Sequence, residues 1–168
     1  MLRHLEEGLP FLIKGFHTDN GGEFINHHLH SYYLDRDVPV TMTRGRAGHG
    51  NDNPHVEQKN WTHVRLLLGY QRIEDPSLLK DINLLNVAAN LLNNFFGTTR
   101  RLIFKERRAA HYYKRYDEPA IPCERLLSST HITEPQKIYL TERMLNMDPY
   151  KLRKLIDAKR TRILQNLW

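Results

Sequence analysis

The sequence predicts an α/β fold that is rich in helix, keeps about two strands, and ends in a basic helical tail. Three observations support this. Two short apolar runs, residues 11–16 and 38–43, read as strands with a helical stretch between them. Three pairs, Asn53-Pro54, Asp75-Pro76 and Asp148-Pro149, each set a capping side chain before a proline suited to the first helical position. The longest apolar runs, such as Leu66 to Leu68, are far too short to cross a bilayer.

Taken in order, Phe11, Leu12, Ile13, Lys14, Gly15 and Phe16 form the first expected strand, buried in a sheet. It ends at His17-Thr18-Asp19-Asn20-Gly21-Gly22, where Asn-Gly and Gly-Gly mark a sharp reversal. Glu23 to Leu34 reads as helix, with Phe24, His28 and Ser31 on one face and Ile25, Leu29 and Tyr32 beside it. In the second strand Pro39 points to a strand start or a sheet edge. A polar, Gly-rich loop follows from Arg44 to Asn51.

Helices are then expected from Pro54 to about Tyr70, from Pro76 to about Phe96, and from Pro149 onward, where Leu152, Leu155, Ile156, Ile163 and Leu167 share one side. The middle helix carries two apolar stripes, one through Leu85 and Ala89 and one through Leu84, Ala88 and Phe95. So wide a face fits a buried core helix, or a helix shared between core and subunit interface. The stretch Arg100 to Arg115 is basic and holds Phe104, Tyr112 and Tyr113. It suits phosphate contacts and base stacking, or an exposed basic helix with partly buried aromatics. Pro119 to Pro122 reads as a linker, dividing a core of residues 1–118 from a linker and basic helical tail of residues 119–168.

Composition narrows the function classes. The chain is 40% hydrophobic and 26% charged, a balance of soluble globular domains rather than disordered chains. Cys123 is the single cysteine, so neither an internal disulfide nor a Cys-based zinc site is available, and a reducing setting fits best. Glu6 and Glu7 stand where a secretory leader would be basic and then apolar. The expectation is a cytoplasmic protein with no membrane partner. Net charge is +6 but uneven. Residues 1–99 hold 9 Lys/Arg and 11 Asp/Glu (9 − 11 = −2), and residues 100–168 hold 16 and 8 (16 − 8 = +8). The basic half suits a polyanion such as nucleic acid, or simply a solvated basic surface.

Two carboxylates are well placed for metal chemistry. Asp19 lies just past the first expected strand, beside glycines that let a phosphate or metal approach. Glu57 lies in the first turn of a later helix, 57 − 19 = 38 positions on. If the two intervening strands are parallel neighbours, both groups reach one sheet edge, where convergent oxygens suit hard divalent cations. Each acid also has an ordinary role, Asp19 as a turn former and Glu57 as a partner of the helix dipole.

The string His17-Thr18-Asp19-Asn20-Gly21-Gly22-Glu23-Phe24 resembles the second-Asp motif of insertion-sequence transposases and retroviral-type integrases. Asn51-Asp52-Asn53-Pro54-His55-Val56-Glu57-Gln58-Lys59-Asn60-Trp61 resembles the motif that bears their catalytic Glu. Asn94-Phe95-Phe96 through Lys105-Glu106-Arg107, and Lys114-Arg115-Tyr116-Asp117, are similar to the downstream part of one transposase group. The resemblance covers residues 11 to 128 and implies the DDE-type catalytic core, a ribonuclease H-like α/β fold, here N-terminally truncated. It further implies metal-dependent phosphodiester hydrolysis and strand transfer during DNA integration or transposition. Asp19 and Glu57 would then be catalytic and bind Mg²⁺ or Mn²⁺. Asn20, Gly21 and Gly22 would shape the turn beside the scissile phosphate. Asn20, Lys59, Arg65, Arg100, Arg101, Arg107 and Arg108 would contact DNA, with Gln58, Asn60 and Trp61 nearby. The partners would be DNA and further subunits, either copies of this chain or full-length transposase.

Two departures from the pattern matter. Where related sequences carry lysines before the Glu motif, this loop reads Gly48-His49-Gly50. Residues 1–18 contain no Asp, and Glu6 and Glu7 lie too near the first strand to occupy a separate central one. The three-carboxylate site is therefore expected to be incomplete and the isolated chain inactive, with Mg²⁺ weakly bound at most. An uncovered strand edge would favour dimerisation or aggregation. The alternative is a non-catalytic DNA-binding or subunit-interaction remnant; a decayed product with no selected role is a third reading. His27, His28 and His30 suggest zinc, but several His on a surface helix is the commoner case.

Overall fold

A computed structural model describes residues 6–19, 21–24, 26–48 and 54–166. The chain is mixed α/β and divides into two compact units, Met1–Tyr70 and Gln71–Trp168.

In the first unit β1 (Gly15–Thr18) and β2 (Thr41–Arg44) pair in parallel, Gly15 opposite Thr41 and Thr18 opposite Arg44. Parallel neighbours need a crossover, and here it carries helix α1 (His27–Leu34). Asn26 starts that helix, its side chain accepting from the Leu29 amide at 2.7 Å. Leu29 and Tyr33 of α1 bury with Val40, and Ile13, Phe16, Phe24, Tyr32 and Met42 pack around them. The Phe16 and Tyr33 rings stack with centroids 4.8 Å apart. Arg36 lies over the Tyr32 and Tyr33 rings and reaches Glu6 at 2.8 Å, so the end of α1 is tied to residues before the sheet.

Both strands begin later than their apolar runs suggest. Phe11 and Leu12 are exposed, Leu12 by 81%, and the chain enters the ladder only at Gly15. Val38 is also exposed, and the amide of Val40 donates to the Tyr33 carbonyl at the end of α1. The residues before Thr41 therefore serve the crossover. Pro39, with no amide hydrogen to give a ladder, fits that position.

Helix α2 (Pro54–Asn60) continues through a π-helical segment, Trp61–Arg65, and a last turn, Leu66–Leu68. Gly69 ends it at φ 75°, a left-handed conformation that glycine adopts without a Cβ clash.

The second unit opens with a short 3₁₀ turn (Pro76–Leu78) into α3 (Leu79–Phe95). The Asp75 carboxylate accepts from the Ser77 amide at 2.8 Å, as the Asx-Pro pattern predicts. Asp148 does the same for α6 (Pro149–Gln165), accepting from Tyr150 and Lys151 amides. Helix α3 packs along α6; Leu85 and Ile163 are fully buried and Ala88, Ala89 and Ile156 nearly so. The second apolar stripe of α3 is divided: Ala88 and Phe95 are buried, while Leu84 is 39% exposed. Between these helices lie α4 (Pro122–Leu127) and α5 (Glu134–Leu145). Phe95, Cys123, Ile132 and Leu140 form the second core cluster.

Two expectations fail in this unit. Residues 100–116 hold no helix. They form an antiparallel hairpin, β3 (Leu102–Arg108) and β4 (His111–Tyr116), so the described residues contain four strands in two small sheets rather than about two. Nor is Pro119–Pro122 a free linker. Ala120 exchanges both backbone hydrogen bonds with Thr99, and Pro122 begins α4.

Candidate functional site

The parallel pairing of β1 and β2 brings the carboxyl ends of both strands to one edge of the sheet. In open α/β sheets that edge is where ligands bind. Strand alternation sends Phe16 and Thr18 of β1, and Met42 and Arg44 of β2, toward α1. His17 and Thr43 take the other face, where the His17 Nδ1 lies 2.8 Å from the Thr43 hydroxyl. At this edge an open cavity of about 500 Å³ is lined by Thr18, Asn26, His27, His30, Thr43 and Arg44, among others. Thr18 is 6% exposed, whereas Arg44, His27 and His30 are exposed. One arginine, two imidazoles, a hydroxyl and the amino end of α1 thus share one hollow, a composition open to an anionic group.

Asp19 follows Thr18 at this edge, in the turn the sequence marks. Its Oδ1 accepts from the Gly21 amide at 3.0 Å, which makes it a turn former in fact. Its second oxygen is not used in that bond. Glu57 lies exposed in the first turn of α2, the helix entered by the loop from β2. Two carboxylates are donors of the type Mg²⁺ accepts. Among the described residues no three His, Cys, Asp or Glu side chains gather as a metal site.

The expected DNA contacts are scattered. Asn20, and Asn51 to Asn53 at the start of the Glu motif, lie outside the described residues. Lys59 is exposed on α2, near His63, whose imidazole is held below its ordinary value by burial first and by the Lys59 charge second. Arg65 is half-buried in the π-helical segment, its guanidinium 4.8 Å from the centre of the Tyr70 ring, which neighbours Trp61. The wider π turn alters the register between Glu57 and Arg65 that a regular helix would give. In the second unit Arg100 is exposed, and Arg101 lies 3.5 Å from the Asp117 carboxylate. Arg107 donates to the Ala109 carbonyl, and Arg108 pairs with Glu106 at 2.8 Å.

The cavity residues were not singled out from sequence as a group. The usable signal is the strand period: once β1 and β2 are placed, Thr18 and Arg44 fall on the helix-covered face.

No family model matches the chain and no solved structure matches it. A protein of Sinorhizobium fredii (strain NBRC 101917 / NGR234), described as uncharacterized protein y4rM, is 34% identical over 116 residues. The match takes in 69% of this chain and 33% of that protein, so the chain spans about a third of the length of the relative it matches.

Proposed function

We propose that this chain serves DNA integration or transposition as part of a DDE-type catalytic core with a ribonuclease H-like arrangement. The observation that supports the reading is the parallel β1–β2 pair, whose carboxyl edge leads directly into the Asp19 turn. Both motifs occur in the sequence in the order and spacing that the resemblance requires. The cavity beside Thr18 adds one arginine, Arg44, suited to a phosphodiester oxygen.

In this reading Asp19 and Glu57 hold Mg²⁺ or Mn²⁺. The bound ion would supply Lewis-acid stabilisation of the phosphoryl oxygens and an activated water or hydroxyl nucleophile. Arg44 and the amino end of α1 would hold the backbone phosphate, and the Asp19–Gly21 turn keeps the chain tight beside it. Asp19 and Glu57 by themselves supply two carboxylates, which would bind the ion weakly.

Two measurements on the full chain test this. Mn²⁺ titration followed by electron paramagnetic resonance should show weak binding that Asp19→Asn and Glu57→Gln each abolish. Binding to a labelled duplex should be strong at low salt and fall steeply as salt rises. An unchanged Mn²⁺ titration in both variants removes the catalytic assignment, and absence of DNA binding removes the whole reading.

A second reading, a non-catalytic DNA-binding or subunit-interaction piece, is favoured by one observation: the exposed, basic β3–β4 hairpin. DNA binding unaltered by loss of both acids would fit it.

A further inference from the structure

The hairpin is unusual in having no buried face: every residue of β3 and β4 is exposed. A two-stranded ribbon in water is marginal by itself. Its register separates two faces. Phe104 pairs with Arg115, Glu106 with Tyr113 and Arg108 with His111 on one; Lys105 pairs with Lys114 and Arg107 with Tyr112 on the other.

The first face is partly compensated. Arg108 pairs with Glu106 and lies 4.5 Å from the Tyr113 ring centre. Phe104 and Tyr113 meet edge to face at 6.1 Å, and Arg115 lies 5.9 Å over Phe104. The second face carries Lys105, Arg107 and Lys114 with no carboxylate among its paired residues. Lys105 and Lys114 stand directly opposite each other, a like-charge cross-strand pair that opposes the hairpin. Within the strands the pair is relieved only by the Tyr112 ring beside Lys105, and a polyanion laid across both lysines would relieve it further.

We propose that the Lys105–Arg107–Lys114 face docks on the phosphate backbone of duplex DNA, while the Phe104–Tyr113 face does not. The inference rests on the proposed DNA function and names the surface and the form of DNA. Seven residues of β3 span roughly 20 Å, and a two-stranded ribbon fits the major groove, about 12 Å wide, so that cations on one face reach flanking phosphates. Duplex is favoured over single strand because three of the hairpin's four rings already have a ring or cation neighbour. Lys105 lies 4.3 Å from the Tyr112 ring centre, and Phe104 and Tyr113 are engaged with each other and with arginines. Base stacking needs a free aromatic face.

The test compares two variants of the full chain, Lys105→Gln/Arg107→Gln/Lys114→Gln and Arg108→Gln/Arg115→Gln, by fluorescence anisotropy on one duplex and its single strand across a salt series. Circular dichroism melts check that each variant is folded. The first variant should reduce the slope of log affinity against log salt by roughly one per charge removed, and weaken duplex binding on the order of a hundredfold near 0.15 M salt. The second should change either by much less. If the single-residue variant Lys114→Gln is used where the triple variant fails to fold, a slope change of about one is expected. Equal losses in both variants, or tighter binding to the single strand, overturn the face assignment. Wild-type binding retained by the first variant places the contact elsewhere in the basic half and also overturns it. No binding by the wild type is a different failure, that of the DNA reading itself.

Discussion

Arg125 grips Asp117 with two nitrogens: Nη1 donates to Oδ2 at 2.6 Å and Nη2 to Oδ1 at 3.2 Å. The same Nη2 donates to the Thr99 and Glu118 carbonyls, and Asp117 also accepts from the Arg101 amide. The base of the hairpin is thereby joined to α4. The Arg125 hydrogen bonds first, then the Arg101 amide, lower the Asp117 carboxyl from 3.8 to about 2. A carboxylate lowered in the folded state contributes stability above its unfolded value, and that contribution disappears as pH falls through the folded one. Thermal melts should lose stability between about pH 4 and pH 2, and Asp117→Asn should flatten that limb while lowering the melting temperature at neutral pH. Parallel wild-type and variant curves across the window would count against the clamp.

The hairpin turn predicts a stabilising substitution. Ala109 sits at φ 53°, where a Cβ crowds the backbone. Ala109→Gly relieves that crowding at some cost in unfolded-chain entropy, for a net gain of about 0.5–1 kcal/mol. A small rise in melting temperature, with sharper hairpin amide signals by NMR, is the expected result. A fall would mean that the crowding is already relaxed.

How legible the molecule was in its sequence depends on what each segment buries. Asp75 and Asp148 were readable as caps because the signal is local, a carboxylate before proline. The β1–α1–β2 order was readable because α1 covers one sheet face, although Phe11, Leu12 and Val38 are apolar without being in strands. The hairpin was not readable for the converse reason. With both faces exposed, β3 and β4 have no apolar alternation to display, and their Ala109-Ala110 turn lacks the Asn-Gly or Asp-Gly signature. Asp19 and Glu57 could be picked out by type and spacing, but the cavity of Thr18 and Arg44 needed the strand register.

Helices α3 and α6 are joined by a buried carboxylate. Asp81 is 5% exposed and accepts from Lys159 at 2.6 Å, with Arg162 at 3.0 Å. Lys159, foremost, draws the Asp81 carboxyl below its usual range. Removing one partner of such a pair leaves a charge short of compensation. Asp81→Ala should therefore lower the melting temperature distinctly more than Asp157→Ala, which breaks only the exposed Arg153–Asp157 pair on α6. Calorimetry on both decides it, and similar losses would show the Asp81 contacts to be dispensable.

The apolar part of the same contact predicts a larger effect. Ile163 is completely buried on α6, so Ile163→Ala removes methylenes from a packed site and leaves a cavity. The expected cost is about 2–5 kcal/mol by urea denaturation. Leu155→Ala, at a side chain 39% exposed on the same helix, should cost much less. Equal costs would mean that α6 is held less by Ile163 than its burial implies.

Asp19 separates turn formation from metal binding. Its Oδ1 accepts from the Gly21 amide, a bond that an asparagine carbonyl reproduces and an alanine does not. Asp19→Asn should keep the wild-type melting temperature, and Asp19→Ala should lose about 1 kcal/mol with the turn. Both remove the negative charge, so both should abolish Mn²⁺ binding. The pair of readouts distinguishes the two roles because only one of them depends on charge. Mn²⁺ binding that persists in the folded Asp19→Asn protein would leave Asp19 as a turn residue alone.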